Sequence, residues 1–196
     1  MIWIIVSFLV LLVAFIILQY QISQNKIKRT LEIVNKTNLD EIPNFSQECI
    51  RIFRDELNIA LDINDIQASS NHLQNALSPS KTSFHKILTA FKAGSKNYYP
   101  FVIYIGAFLG ELIRHHSNAE WKRDESGFWS LRIGNKESSM VVYPFDKIIK
   151  CIFQRGHTEG LRRYIMIVVG ALPLDEATKL AGYHELDLAK RLEINE

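Results

Sequence analysis

Cysteine is scarce in this chain, and the positions of its two copies argue against a disulfide, a zinc site or a redox centre. Two cysteines occur among 196 residues, Cys49 and Cys151, and each stands inside an apolar helical pattern. Zinc sites and redox centres need closely spaced pairs such as C-x-x-C, which the sequence lacks. We therefore expect buried thiols in a reducing compartment, with no disulfide and no metal site.

Excess charge and cofactor motifs are missing as well. The formal net charge is +2 at pH 7, whereas nucleic-acid-binding domains concentrate basic residues on one face, so we do not expect a nucleic-acid partner. The sequence contains no glycine-rich phosphate loop, no paired cysteine ligands and no nucleophile elbow. We therefore expect no bound cofactor.

Charged side chains are also absent from the N-terminal segment. Residues 1–18 read MIWIIVSFLVLLVAFIIL, and a helix of about 17–20 such residues crosses the roughly 30 Å of a bilayer core. A cleaved signal peptide would begin with basic residues, which this segment does not have. Lys26, Lys28 and Arg29 follow the run. Because basic residues that flank a span stay in the cytosol, we expect the N-terminus outside and the C-terminal domain inside.

The rest of the chain has the length and composition of one domain. We predict a transmembrane anchor over residues 1–20, a juxtamembrane neck and hinge over residues 21–43, and a cytosolic α+β domain over residues 44–196. Hydrophobic residues make up 47% of the chain, enough for a core. The helical pattern is predicted to restart at Asn44, which could act as its N-cap.

Apolar periodicity predicts a mainly helical domain with one small sheet. Pro100 opens the most apolar stretch after the anchor, which runs to His116 and should be the central buried helix. Three short runs with strand character, 120–123, 128–133 and 140–143, are separated by turn residues and predict a three-stranded antiparallel meander. Pro144 then opens another helix. A further helical stretch near 158–172 has a β-branched centre, so a strand stays an alternative there.

One cluster has the residue types for chemistry. Glu111 and His115 are four residues apart, hence on one helix face, where they could share a metal ion or a proton. They are the candidate catalytic residues. Two ligands do not make a metal site, and a helix C-terminus attracts basic side chains through its dipole. The candidate binding residues are Arg114, His116, Trp121 and Arg155. A buried Glu111 would need a cationic partner, for which Arg114 and Arg155 are available.

Two further patterns have structural and functional interpretations. Gly106 and Gly110 form a G-x-x-x-G pattern on a helix too short to span a bilayer, so we expect close packing of neighbouring elements on these glycines. Basic residues are frequent in the second half of the chain. A surface that gathered some of them could bind anionic lipid or an acidic protein, although the sequence favours a scattered solvated set. They are Arg114, Lys122, Arg123, Arg132, Lys147, Lys150, Arg155, Arg162 and Arg163.

Residues 100–160 resemble an uncharacterised bacterial domain family. The resemblance rests on Gly106-Ala-Phe-Leu-Gly-Glu111, on Trp121 leading a strand, and on Tyr143-Pro-Phe145 opening a helix that ends at Arg155-Gly156. In that family a Leu-Gly-Glu helix precedes a Trp-bearing meander and a Pro-Phe helix. The resemblance implies a bacterial inner-membrane setting and supports the strand assignment, and it implies no particular reaction.

Three functional hypotheses follow from these patterns. The first is a membrane-anchored cytosolic interaction protein that binds, inhibits or organises a protein partner, as an immunity-like factor or a complex subunit does. The second is a membrane-tethered hydrolase or metal-dependent enzyme that uses Glu111 and His115. The third is a protein that binds anionic lipid surfaces through the basic residues of its second half.

Overall fold

The computed structural model describes residues 2–78, 81–92, 98–134, 139–153 and 160–170. Within these ranges the fold is α+β and mostly helical, with one three-stranded sheet. The elements, in chain order, are α1 (Ile2–Val34), a short 3-10 helix (Leu39–Glu41), α2 (Ile42–Leu57), α3 (Ile66–Leu77), α4 (Lys81–Ala90), α5 (Tyr99–His116), β1 (Ala119–Arg123), β2 (Trp129–Gly134), β3 (Ser139–Val142), α6 (Pro144–Phe153) and α7 (Leu161–Val168).

Helix α5 is the centre of the core, as its composition predicts. Pro100 lies in its first turn, where a proline has no helical hydrogen bond to lose. From Phe101 to Ile113 every residue except Tyr104 is buried. The helix packs against α2, α6, α1 and β1, so neighbours cover it on several sides. This coverage explains why α5 needs no polar face along most of its length.

The three strands form the predicted antiparallel meander in the order β1-β2-β3. The first turn is closed by Asp124, whose Oδ1 accepts hydrogen bonds from the backbone N–H groups of Ser126 (2.9 Å) and Phe128 (2.8 Å). Gly127 in the same turn has a φ of 81°, which favours glycine. Trp129 and Leu131 are buried on the inner face, which packs on the helices.

Helix α1 is continuous for 33 residues, and its last turns belong to the core. Thr30 and Val34 are buried at 6% and 1% exposure. Beyond the helix end, the carbonyl oxygen of Thr37 accepts hydrogen bonds from Trp129 Nε1 (2.9 Å) and from a terminal nitrogen of Arg123 (3.2 Å). The Arg123 guanidinium also stacks over the Trp129 ring at 4.3 Å. The sheet is therefore tied directly to the end of α1.

The start of α2 differs from the prediction. The helix begins at Ile42 and not at Asn44, with Glu41 in the position before it. Pro43 lies in the first helical turn, where its ring fits the helical φ, so it starts a helix instead of breaking the chain. Ile42 is fully buried. The proposed boundary at residue 44 stays a prediction, but the core includes side chains from both sides of it.

Residues 161–168 form helix α7, so the strand alternative for this stretch is wrong. Its buried residues follow the helical period, and α7 packs against α3. The β-branched centre is compatible with a helix because tertiary packing overrides a weak propensity. Arg155 and the tail from residue 171 lie outside the described residues.

Candidate functional site

The C-terminal half of α5 contains a buried carboxylate. Glu111 is 4% exposed. Its Oε2 accepts a hydrogen bond of 2.7 Å from an Arg114 terminal nitrogen, and Arg114 Nε lies 3.1 Å from both carboxylate oxygens. Trp121 Nε1 donates to Oε1 at 2.8 Å. A buried carboxylate is costly unless it is paired and hydrogen-bonded, and both conditions are met here.

The positions of these three residues follow from simple geometry. Arg114 is three residues after Glu111, so both side chains lie on one helix face. Trp121 is in the middle of β1, which packs against α5. Gly110 makes the approach possible, because a Cβ built there would overlap the Trp121 ring, and one built at Gly106 would overlap the Phe145 ring. The prediction of close packing on both glycines is confirmed.

The two aromatic rings on these glycines also contact each other. Trp121 and Phe145 have ring centroids 5.6 Å apart with an interplanar angle of 32°. Phe145 belongs to α6, so the glycine pair joins α5, β1 and α6 at one point. Glu111 fixes the orientation of the indole ring through its N–H. The residues of this cluster therefore act together as a tie between helix and sheet.

The two charged partners in the cluster differ in their exposure to solvent. The Glu111 side chain is 6% exposed, whereas the Arg114 side chain is 49% exposed. Hydrogen bonding to Glu111 raises the pKa of the Arg114 guanidinium, which therefore stays charged. Every oxygen of the carboxylate already has a donor. This arrangement suits a structural ion pair better than a general base, which needs an oxygen that the substrate can reach.

The surroundings of the two histidines differ from those of the Glu111 carboxylate. His116 Nε2 is 2.9 Å from the carbonyl oxygen of Ile63, so the tautomer protonated at that nitrogen donates to it. His115 is exposed, and its ring centroid is 5.1 Å from that of His116. Across the described ranges no group of three or more His, Cys, Asp or Glu residues could hold a metal ion. Glu111 and His115 as catalytic residues stay a prediction.

The outer face of the meander carries an open groove that the sequence did not single out. It has a volume of about 440 Å³ and is lined by Lys122, Ser130, Arg132, Val141 and Tyr143, together with residues 123–126. Lys122 pairs with Ser130 across strands β1 and β2, and Arg132 pairs with Val141 across β2 and β3. Alternation along each strand assigns these residues to one face, but their grouping into a groove depends on the register between the strands.

Several basic residues named from the sequence are engaged within the domain. Lys122 forms an ion pair with Glu120 at 2.9 Å, and Lys150 forms one with Asp146 at 2.8 Å. The Lys147 ammonium lies 4.5 Å from the centroid of the Tyr164 ring. These cations do not form one uninterrupted basic surface.

Comparisons with known proteins give no relative for this chain: no family model, curated protein or solved structure matches it. The resemblance of residues 100–160 to a bacterial domain family therefore stays a prediction.

Proposed function

We propose that this protein is a membrane-anchored interaction protein, held by α1 in a bacterial inner membrane with its α+β domain in the cytosol. The domain binds a protein partner through the outer face of the meander. The proposal has three parts, which are the membrane anchor, the cytosolic position of the domain and the protein partner, and each part has its own test.

The first half of α1 carries the proposal. The large apolar residues whose side chains are described there are between 44% and 69% exposed, and they point in all directions around the helix: Phe8, Val10, Leu11, Leu12, Val13, Phe15, Ile16, Ile17 and Leu18. Exposing so continuous an apolar surface to water is unfavourable, and a bilayer would remove it from water. Within the parts of the chain that the structure describes, one helical segment, Val10–Val34 of α1, is long and apolar enough to cross a membrane.

The enzyme hypothesis has weaker support. Both oxygens of Glu111 are engaged by Arg114 and Trp121, and its exposure of 4% leaves little room for a substrate. His115 is exposed. A stoichiometric metal ion in the purified chain, lost on the change His115→Ala, would revive that hypothesis.

The distance along α1 favours a protein partner over a lipid headgroup for the groove. With α1 along the bilayer normal and Tyr20, the end of the predicted anchor, at the edge of the apolar core, the helix from Tyr20 to Val34 rises about 21 Å. Arg123 contacts the Thr37 carbonyl beyond that point. Headgroup electrostatics fall off within a Debye length of about 8 Å. A soluble protein partner therefore fits the groove better than a lipid headgroup does.

A photo-crosslinking amino acid at Val141, which is 40% exposed in the groove, tests the partner. In native membranes we expect one discrete adduct that the change Arg132→Glu weakens. The control is the same amino acid at Asn75, which is exposed on α3. Identical adducts from both positions, or none, would refute binding at the groove.

A reporter fused at the C-terminus tests the side of the membrane. A reporter that is active only outside the cytosol should stay silent, because the basic residues after the apolar run favour a cytosolic domain. Extraction with alkaline carbonate tests the anchor itself, since an integral protein stays with the membrane pellet.

A further inference from the structure

Beyond Ile22, helix α1 has two different faces. Ile27, Leu31 and Val34 pack on the domain core, and Thr30 is buried beside them. Lys28 and Arg29 are exposed on the opposite side of the helix. The domain therefore shields one side of this segment and leaves the two cations on the other side open.

Lys28 and Arg29 lie beyond the lipid headgroup layer along the helix, but within reach of it for long side chains. With Tyr20, the end of the predicted anchor, at the edge of the apolar core, Lys28 and Arg29 lie about 12–14 Å farther along the axis. The headgroup layer extends roughly 5–8 Å beyond the core on each side. Long basic side chains can reach back over such a difference while their aliphatic parts stay along the helix. Both charged groups can therefore contact lipid phosphates.

We propose that Lys28 and Arg29 form a binding site for the phosphate of an acidic phospholipid, on the same side of the membrane as the domain. This inference rests on the proposed function, since it requires α1 to span the bilayer. Guanidinium and ammonium groups are the usual partners of phosphate oxygens. Glu32 is exposed on the same side but lies about 6 Å beyond Lys28 along the axis, so it does not separate the cations from the headgroups.

Lys36 supplies the matched control. It is exposed beyond the end of α1, about 24 Å past Tyr20, which leaves about 16 Å, or two Debye lengths, to the headgroup layer. Removing its charge changes the net charge of the chain by the same amount as removing one of the pair. A nonspecific effect of charge would therefore affect all three positions equally.

The test is native mass spectrometry of the full chain from nanodiscs that contain phosphatidylglycerol and phosphatidylcholine in equal amounts. The measured quantity is the ratio of the two lipids retained on the protein. Each basic residue near an anionic surface contributes about fivefold, so we expect the double change Lys28→Gln with Arg29→Gln to lower the enrichment of phosphatidylglycerol roughly 30-fold. The change Lys36→Gln should leave it unaltered.

Each outcome has a clear meaning. Equal enrichment in the parent and the double variant, or an equal loss with Lys36→Gln, would overturn the lipid site. Displacement of phosphatidylglycerol by inorganic phosphate would also overturn it, because the site would then bind soluble phosphate. Carbonate extraction of the same variants separates the two proposals. If the parent chain leaves the membrane, the anchor proposal itself has failed.

Discussion

Helices α1 and α5 are both strongly apolar, yet they differ in how much of their surface the rest of the protein covers. The first 25 residues of the chain contain no charged side chain, and neither does α5 before Glu111. Twelve residues of α5 are buried by neighbouring elements, whereas the first half of α1 is exposed wherever its side chains are described. Apolar composition alone therefore does not distinguish a helix that the core buries from a helix whose side chains are exposed.

The distinguishing signs are the residues that interrupt the apolar pattern. Helix α5 has two glycines that receive aromatic rings and one carboxylate that receives an indole N–H. Each requires a protein neighbour at a definite position. Along the exposed part of α1 the apolar residues are mostly large and branched, and they require only an apolar surrounding.

The largest expected effect comes from a charge placed on each helix. Leu109 is fully buried in α5, and Leu109→Asp should cost roughly 5 kcal/mol or more, which approaches the total stability of a domain. We expect the cooperative thermal transition of the detergent-solubilised chain, followed by circular dichroism, to disappear.

The matched change on α1 is Leu11→Asp, at a position 69% exposed in the protein. Insertion into the bilayer should become less favourable by about 2.5–3.5 kcal/mol, while the domain should melt as the parent does. If Leu11→Asp also abolished the transition, the first half of α1 would be part of the core and the contrast with α5 would be wrong.

A smaller effect is expected from Glu111→Ala. The Trp121 N–H would lose its acceptor, while the half-exposed Arg114 could turn to water, so we expect a loss of about 1–3 kcal/mol. Glu111→Gln retains an oxygen acceptor and should lose less. Chemical denaturation with tryptophan fluorescence measures both variants. A Glu111→Ala chain as stable as the parent would contradict the structural tie and favour a catalytic role.

The smallest effect should come from Gly110→Ala. The new Cβ overlaps the Trp121 ring, and overpacking costs about 1–3 kcal/mol, partly offset by the better helix propensity of alanine. We expect a net loss near 1 kcal/mol in the same assay. In the Trp121→Phe background the penalty should shrink, because the smaller ring leaves room. Ala14→Leu on α1, where the position is exposed, should not alter domain stability.

The elements were largely predictable because their signals are local. Proline at the first turn marked α5 and α6, and Asp124 with Gly127 marked the turn between β1 and β2. The Glu111–Arg114 pair follows from helix spacing and could be named from the sequence. The same local logic failed at the start of α2, which was predicted at Asn44, because a proline that breaks a chain and a proline in the first turn of a helix look alike without tertiary context.

The contacts between distant elements were not predictable. Trp129 donates to Thr37 across 92 residues of sequence, and no periodicity relates the two. Trp121 was a candidate binding residue, but its hydrogen bond to Glu111 depends on how β1 crosses α5. The groove required the register of all three strands at once. A single sequence contains no direct record of such pairings.

The junction at Thr37 fixes the orientation of the sheet relative to α1 as well as its distance from the helix. Backbone hydrogen bonds from Asn35 and Thr37 carry the chain out of α1, and the Thr37 carbonyl holds the sheet through two donors. If α1 spans a bilayer as proposed, turning it about its own axis would therefore rotate the groove around the membrane normal by the same angle. One residue of helical register corresponds to about 100° of rotation. A neighbouring helix that repacked against α1 by one position would thus aim the groove at a different quadrant of the membrane plane.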